Sequence, residues 1–194
     1  MIAALVLAAG AGRRLGRVKQ LEPWGGITLL EHVLSDVRTF PVDEIWVVLG
    51  FESERIMSDV NLEGCYLIEN PEWEEGIASS IRAGLDALTR LSQADQALLI
   101  LGDEPDISLE VVQQVMTEHR RAKALATLPK YRYLWGHPVL VDRRLWPRLI
   151  SLTGDEGAKQ LLKAHPEWVH EVWVADRAPR DVDTPQDVID LRPH

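Results

Sequence analysis

Ile2-Ala3-Ala4-Leu5-Val6-Leu7-Ala8-Ala9-Gly10-Ala11-Gly12-Arg13-Arg14-Leu15-Gly16-Arg17-Val18-Lys19 decides the fold class. The apolar run from Ile2 to Leu7 reads as a strand buried on both faces, because a half-exposed strand would alternate with polar residues. Small residues and glycines follow, which let a backbone approach a ligand closely and offer its amides to phosphate oxygens. Arg14 adds a planar fork and Lys19 a point charge, a pair suited to a polyphosphate. Two known phosphate loops do not fit. A dinucleotide fingerprint needs its third glycine one residue before Gly16, and a P-loop needs a lysine directly after that glycine, where Arg17 stands. Taken alone, the segment leaves a plainer alternative open, a glycine-rich turn with solvated arginines.

The rest of the chain repeats the strand-then-helix rhythm. Glu44–Leu49, Cys65–Ile68 and Ala97–Leu101 read as further strands. Between them lie helical patterns at Leu29–Val37 (Thr28 as cap), Ser53–Val60, Ile77–Leu88 (Ser79 or Ser80 as cap) and Leu109–His119. Alternating strands and helices imply βαβ units and a largely parallel sheet covered on both faces. After Ala124 the rhythm changes. Ala124–Leu128 and Pro138–Val141 read as strands around an aromatic loop, followed by helices at Arg143–Ser151 and Gly157–Ala164. A strand at Val169–Val174 and a helix at Pro185–Leu191, capped by Thr184, end the pattern. The expectation is one α/β domain over 1–194 with a mostly parallel mixed sheet. Ligands of such sheets sit beyond the carboxyl ends of the strands, so segments 8–19, 70–80, 102–106 and 181–184 should converge.

Composition narrows the function classes. With 194 residues, 46% hydrophobic and 26% charged, the chain is neither disordered nor membrane-spanning in composition. Its 30 acidic residues against 21 basic ones give a net charge of −9, which argues against a nucleic-acid partner. The single cysteine, Cys65, excludes an internal disulfide and, inside an apolar run, reads as core. The Ile2–Ala9 run has no positive residue before it, whereas Arg13 and Arg14 follow it, the reverse of a secretory signal. The expected location is cytoplasmic, with no membrane contact.

Several side chains suit chemistry while keeping plainer readings. Asp103, in Leu101-Gly102-Asp103-Glu104-Pro105, can hold Mg²⁺ beside substrate phosphates, or can simply cap a turn. Asp183 supplies a second carboxylate at a helix start, and Asp181, two residues earlier, is an alternative ligand on the same pleat. Gly76, Ser79 and Ser80 at a helix start suit an anion or a nucleobase edge, or are ordinary capping residues. His137, in Gly136-His137-Pro138, reads as structural as readily as catalytic. His165 and His170 lack zinc spacing with any cysteine.

Together these segments resemble the MobA-like nucleotidyltransferases, especially the molybdenum cofactor cytidylyltransferase branch. The pattern L-A-A-G-x-[SG]-x-R-x-G-x-x-K is met from Leu7 to Lys19, G-x-x-x-S by Gly76–Ser80 and L-G-D-x-P by Leu101–Pro105. G-H-P at Gly136–Pro138, G-D-x-G-A at Gly154–Ala158 and D-[VI]-D-T-P at Asp181–Pro185 complete the set in family order. The resemblance implies a three-layer Rossmann-like fold and Mg²⁺-dependent transfer of CMP from CTP to a phosphorylated acceptor of the molybdopterin type, with release of pyrophosphate. It implies catalytic roles for Arg14, Lys19 and Asp103, and Mg²⁺ ligation by Asp103 and Asp183. Nucleotide contacts would come from Leu7, Ala8, Ala9, Gly10, Gly12, Arg14, Lys19, Gly76, Ser80 and Asp103. Acceptor contacts would come from Gly136, His137 and Asp155. Two departures touch the acceptor side. Glu104 stands where the family usually has Gln or Met, and Leu134-Trp135 stands where an arginine–glycine pair often precedes G-H-P. The same fold acting on a sugar phosphate, a polyol phosphate or another cofactor precursor is a second expectation, and a non-catalytic nucleotide-binding module is a third. No molybdoenzyme or chaperone partner is assigned.

Overall fold

The computed structural model describes residues 1–192. In chain order its strands and helices are β1 (Ile2–Ala8), the short hairpin β2 (Pro23–Trp24) and β3 (Ile27–Thr28), α1 (Leu29–Val37), β4 (Glu44–Leu49), α2 (Ser53–Asp59), β5 (Tyr66–Glu69), α3 (Ile77–Leu91), β6 (Gln96–Leu101), α4 (Leu109–Ala122), β7 (Ala126–Tyr131), β8 (Leu134–Trp135), β9 (Val139–Asp142), α5 (Trp146–Ile150), α6 (Ala158–Ala164), β10 (Val169–Val174) and α7 (Pro185–Leu191). The main sheet runs β10-β7-β9-β6-β1-β4-β5, with β8 paired to β7. The β1–β4, β1–β6, β4–β5 and β7–β10 pairs are parallel, and β9 runs antiparallel between β6 and β7. This is a Rossmann-like fold with a mostly parallel mixed sheet, three layers deep.

Burial on both faces explains the unbroken apolar strands. Leu5 and Leu7 of β1 point into one core with Ile81, Leu85 and Leu88 of α3, while Ala4 and Val6 point into the other with α1, α2 and α4. The chain leaves β1 toward β4 on one side and returns through β6 on the other. The crevice beyond β1 and β6 is therefore the topological switch point, where ligands of such sheets bind.

Three details depart from the sequence expectation. The strand expected at Ala124–Leu128 lies at Ala126–Tyr131, where Pro129 sits in a strand that forms two neighbouring ladders. Strand β5 is the sheet edge and mostly exposed, so Cys65 stands just outside it, half-buried rather than in the core, with its thiol pKa raised by burial. Neither Ser79 nor Ser80 caps α3. Gly76 is the N-cap residue, and both serines lie buried in the first turns.

A satellite core positions the site. Leu15, Trp24, Leu29, Val182 and Val188 pack together, which fixes the end of the glycine-rich segment against the segment before α7. Thr184 caps α7 in a reciprocal box with Asp187, and Asp187 also accepts the Asp183 N–H at 3.2 Å. Thr184→Ala should cost about 1 kcal/mol, lowering the melting temperature by about 2–4 °C in a thermal melt. An unchanged melt would show that the cap does not hold α7.

Candidate functional site

Beyond β1 and β6 lies a cavity of about 450 Å³. Leu7, Ala9, Gly10, Gly12, Arg14 and Lys19 line one side, Gly76, Ser80 and Asp155 the opposite side, and Leu101, Asp103 and Asp183 the floor between them. Ala8 faces a smaller adjoining pocket of about 60 Å³ instead. Ala9 and Ala11 line the main cavity and Ala8 does not.

Lys19 ties the floor together. Its Nζ donates to Asp103 Oδ2 and to Asp183 Oδ1, each at 2.6 Å. Arg14 Nη2 reaches the other Asp183 oxygen at 2.6 Å, although the arginine side chain is 73% exposed and this pair is correspondingly weak. Burial works against the Lys19 ammonium, but Asp103 and Asp183 outweigh it and hold its pKa above the usual lysine value. Burial likewise pushes the Asp103 carboxyl upward, and Lys19 offsets only part of that. A single cation thus touches both carboxylates at once. That donor set suits a hard divalent ion, which takes one or two carboxylates and completes its shell with phosphate and water.

Backbone bonds set these side chains in place. The Val182 N–H donates to the Asp103 carbonyl at 2.9 Å, linking the loop after β6 to the segment before α7. Gln20, which the sequence reading passed over, is buried and donates from Nε2 to the carbonyls of Ala8 (2.6 Å) and Gly10 (2.9 Å). It folds the glycine-rich segment back on itself. Gly12 has φ +60°, and a Cβ there would lie 2.7 Å from the Arg17 carbonyl, so the turn requires glycine.

The opposite side is more closed than expected. Asn70 Nδ2 donates to Ser79 Oγ (2.8 Å) and Ser80 Oγ (3.1 Å), a clamp that nothing local in the sequence marks. The Ala78 amide is taken by the Gly154 carbonyl at 3.1 Å, and the Ser79 amide by Gly76 at 3.2 Å. Two amides at the start of α3 are therefore already engaged.

The three residues expected to contact the acceptor do not form one group. Asp155 lines the cavity beside Gly76, whereas Gly136 and His137 are buried away from it. The Gly136 backbone packs on the Tyr131 ring, and His137 Nδ1 bonds Glu104 Oε1 at 2.9 Å. Burial lowers the His137 pKa to about 3, so the imidazole is neutral. Glu104 is pushed up to about 7 by burial, and Asp181 to about 6 by burial and by its hydrogen bond with Glu104. Asp181 therefore pairs with Glu104, and Asp183 is the aspartate that meets Lys19 and faces Asp103 across it.

Residues 4–169 match the MobA-like NTP transferase domain. The chain belongs to this family. It is 34% identical over 191 residues to the nicotine blue oxidoreductase of Paenarthrobacter nicotinovorans, with 94% of this chain and 92% of that protein covered. It is 25% identical to the molybdenum cofactor cytidylyltransferase of Escherichia coli K12, covering 95% and 92%. Among solved structures, Rv0371c of Mycobacterium tuberculosis H37Rv in complex with manganese superposes with a TM-score of 0.83 at 28% identity, over 98% of this chain and 97% of that one.

Gly76 offers a direct check on the cavity wall. At φ +118°, a Cβ there would lie 2.5 Å from both Asp155 Oδ1 and the Gly154 carbonyl. Gly76→Ala should cost about 1–3 kcal/mol from backbone strain and displace the 154–157 segment, and its loss of stability is read in a denaturant titration. A fully stable variant would contradict the close approach.

Proposed function

We propose that this protein transfers CMP from CTP to a phosphorylated acceptor of the molybdopterin type and releases pyrophosphate. The observation that carries the reading is the Lys19 ammonium shared by Asp103 and Asp183 at the floor of the cavity. One relative named a molybdenum cofactor cytidylyltransferase and a structural neighbour crystallised with manganese support it. Residues 1–194 would act as a single transferase unit, without nucleic-acid or membrane partners and in the cytoplasm. No helix among the described residues is long and apolar enough to cross a membrane.

In this reading Asp103 and Asp183 hold Mg²⁺, which would supply Lewis-acid stabilisation of charge on the phosphates. Lys19 leaves its carboxylate partners for the triphosphate, and Arg14, already exposed, neutralises charge building on the leaving pyrophosphate. The backbone from Leu7 to Gly12 cradles the nucleotide. The reacting acceptor phosphate must lie in line with the bond to pyrophosphate, so the protein contributes mainly position and charge. Ala9 and Ser80, both lining the cavity, border the base in this reading. Asp155 is the acceptor-side residue that the cavity exposes. Gly136 and His137 support it only indirectly, through Glu104.

A second reading has one observation behind it. The 34% identical relative is named an oxidoreductase, so the same cavity would hold a redox-active nucleotide instead. One assay separates the two. Purified protein with Mg²⁺, a molybdopterin acceptor and each NTP in turn should release pyrophosphate fastest with CTP and clearly more slowly with GTP. NADH or NADPH oxidation on adding nicotine blue, with no pyrophosphate from any NTP, would select the oxidoreductase.

Asp103→Asn refines the test. Burial already disfavours this carboxylate's charge, so the neutral amide should leave the melting temperature nearly unchanged. Turnover should fall about a hundredfold or more, because charge stabilisation at the phosphates is lost. An early-melting variant with normal turnover would make Asp103 structural.

A further inference from the structure

On the outer side of the loop that carries Asp103, three side chains from two elements converge. His32 and Asp36 stand one turn apart on α1, so they share a helix face. Asp106 comes from the β6–α4 loop, three residues beyond Asp103, with φ +66°. His32 Nε2 lies 3.2 Å from Asp106 Oδ1 and 3.9 Å from Asp36 Oδ2. One ligand atom from each residue lies within 4.8 Å of the other two.

We infer that His32, Asp36 and Asp106 form a zinc-class metal site that clips the β6–α4 loop to α1. An imidazole nitrogen with two carboxylate oxygens is a donor set for zinc rather than for magnesium, which prefers oxygen alone. Zinc ligands lie about 2.0–2.2 Å from the ion, so neighbouring donor atoms in a tetrahedron stand a little over 3 Å apart. The His32–Asp106 spacing already meets that, and rotation of the Asp36 side chain would shorten the other two edges. Three protein ligands leave a fourth position for water.

The charge balance points the same way. Asp103 and Asp183 have Lys19 and Arg14 as cationic partners. Asp36 and Asp106 face each other with His32 as their only ion-pair partner among the described residues. The two carboxylates repel, although Asp36 also accepts the Asp106 backbone N–H. A divalent cation would relieve this repulsion. The site is separate from the catalytic floor, because its ligands lie on the α1 side of the loop and none of them lines the main cavity.

The test is zinc titration of chelator-stripped, nucleotide-free protein by calorimetry, with a parallel thermal melt. Wild-type protein should bind one zinc more than His32→Ala, and at zinc about 100-fold above its dissociation constant should melt about 5–10 °C higher than without metal. Asp103→Asn should keep this zinc, which separates the clip from any binding at the catalytic carboxylates. Asp106→Asn should weaken it at least about tenfold while circular dichroism shows an intact fold, which guards against misfolding of the histidine variant. Equal zinc binding by wild type and His32→Ala, or loss of this zinc in Asp103→Asn, would overturn the inference.

Discussion

The Lys19 ammonium, held between Asp103 and Asp183, is the contact on which the geometry of the site depends. Its partners lie far apart in the chain, one after β6 and one before α7, while the lysine follows β1. Two partly buried carboxylates this close repel unless a cation lies between them. Removing Lys19 would leave Asp103 without its cation, whereas removing either aspartate leaves the ammonium paired with the other. Under the proposed function, the ammonium would give up its carboxylates to a divalent cation as the phosphates bind.

The surrounding structure keeps those groups within reach of each other. The bond from the Val182 amide to the Asp103 carbonyl sets the spacing of the two aspartates, and Val182 itself is anchored with Leu15, Trp24 and Leu29. Gln20 fixes the loop that carries Lys19 by bonding two carbonyls on the far side of the turn. Exposed Arg14 is the loosest member, as suits a group that must move to meet a substrate.

Much of this was legible before any coordinates. The apolar runs of β1, β4 and β6 read as buried strands because burial on both faces removes polar alternation, and Thr28 and Thr184 read as caps because both motifs are local. What escaped depends on distant partners. Gln20 and Asn70 act through residues nine to twelve positions away, with no periodicity to betray them. Ser79 and Ser80 look like caps in sequence, yet Gly154 already satisfies an amide of that turn and turns the serines inward toward Asn70. His137 looked available to an acceptor, but Glu104 buries with it, and the pairing joins segments 33 residues apart. Local patterns show elements and caps. Only the packed chain shows which polar groups are already engaged.

The central claim is that the Lys19 ammonium occupies the place a divalent cation would take. The most direct measurement is Mn²⁺ affinity of nucleotide-free wild type and Lys19→Ala by paramagnetic titration, with Asp183→Asn as the reference lacking one ligand. Charge-assisted bonds of about 1.5–3 kcal/mol must be broken before a metal can enter. Lys19→Ala should therefore bind Mn²⁺ about ten- to a hundredfold more tightly than wild type, and Asp183→Asn more weakly. Equal or weaker binding by Lys19→Ala would contradict the account.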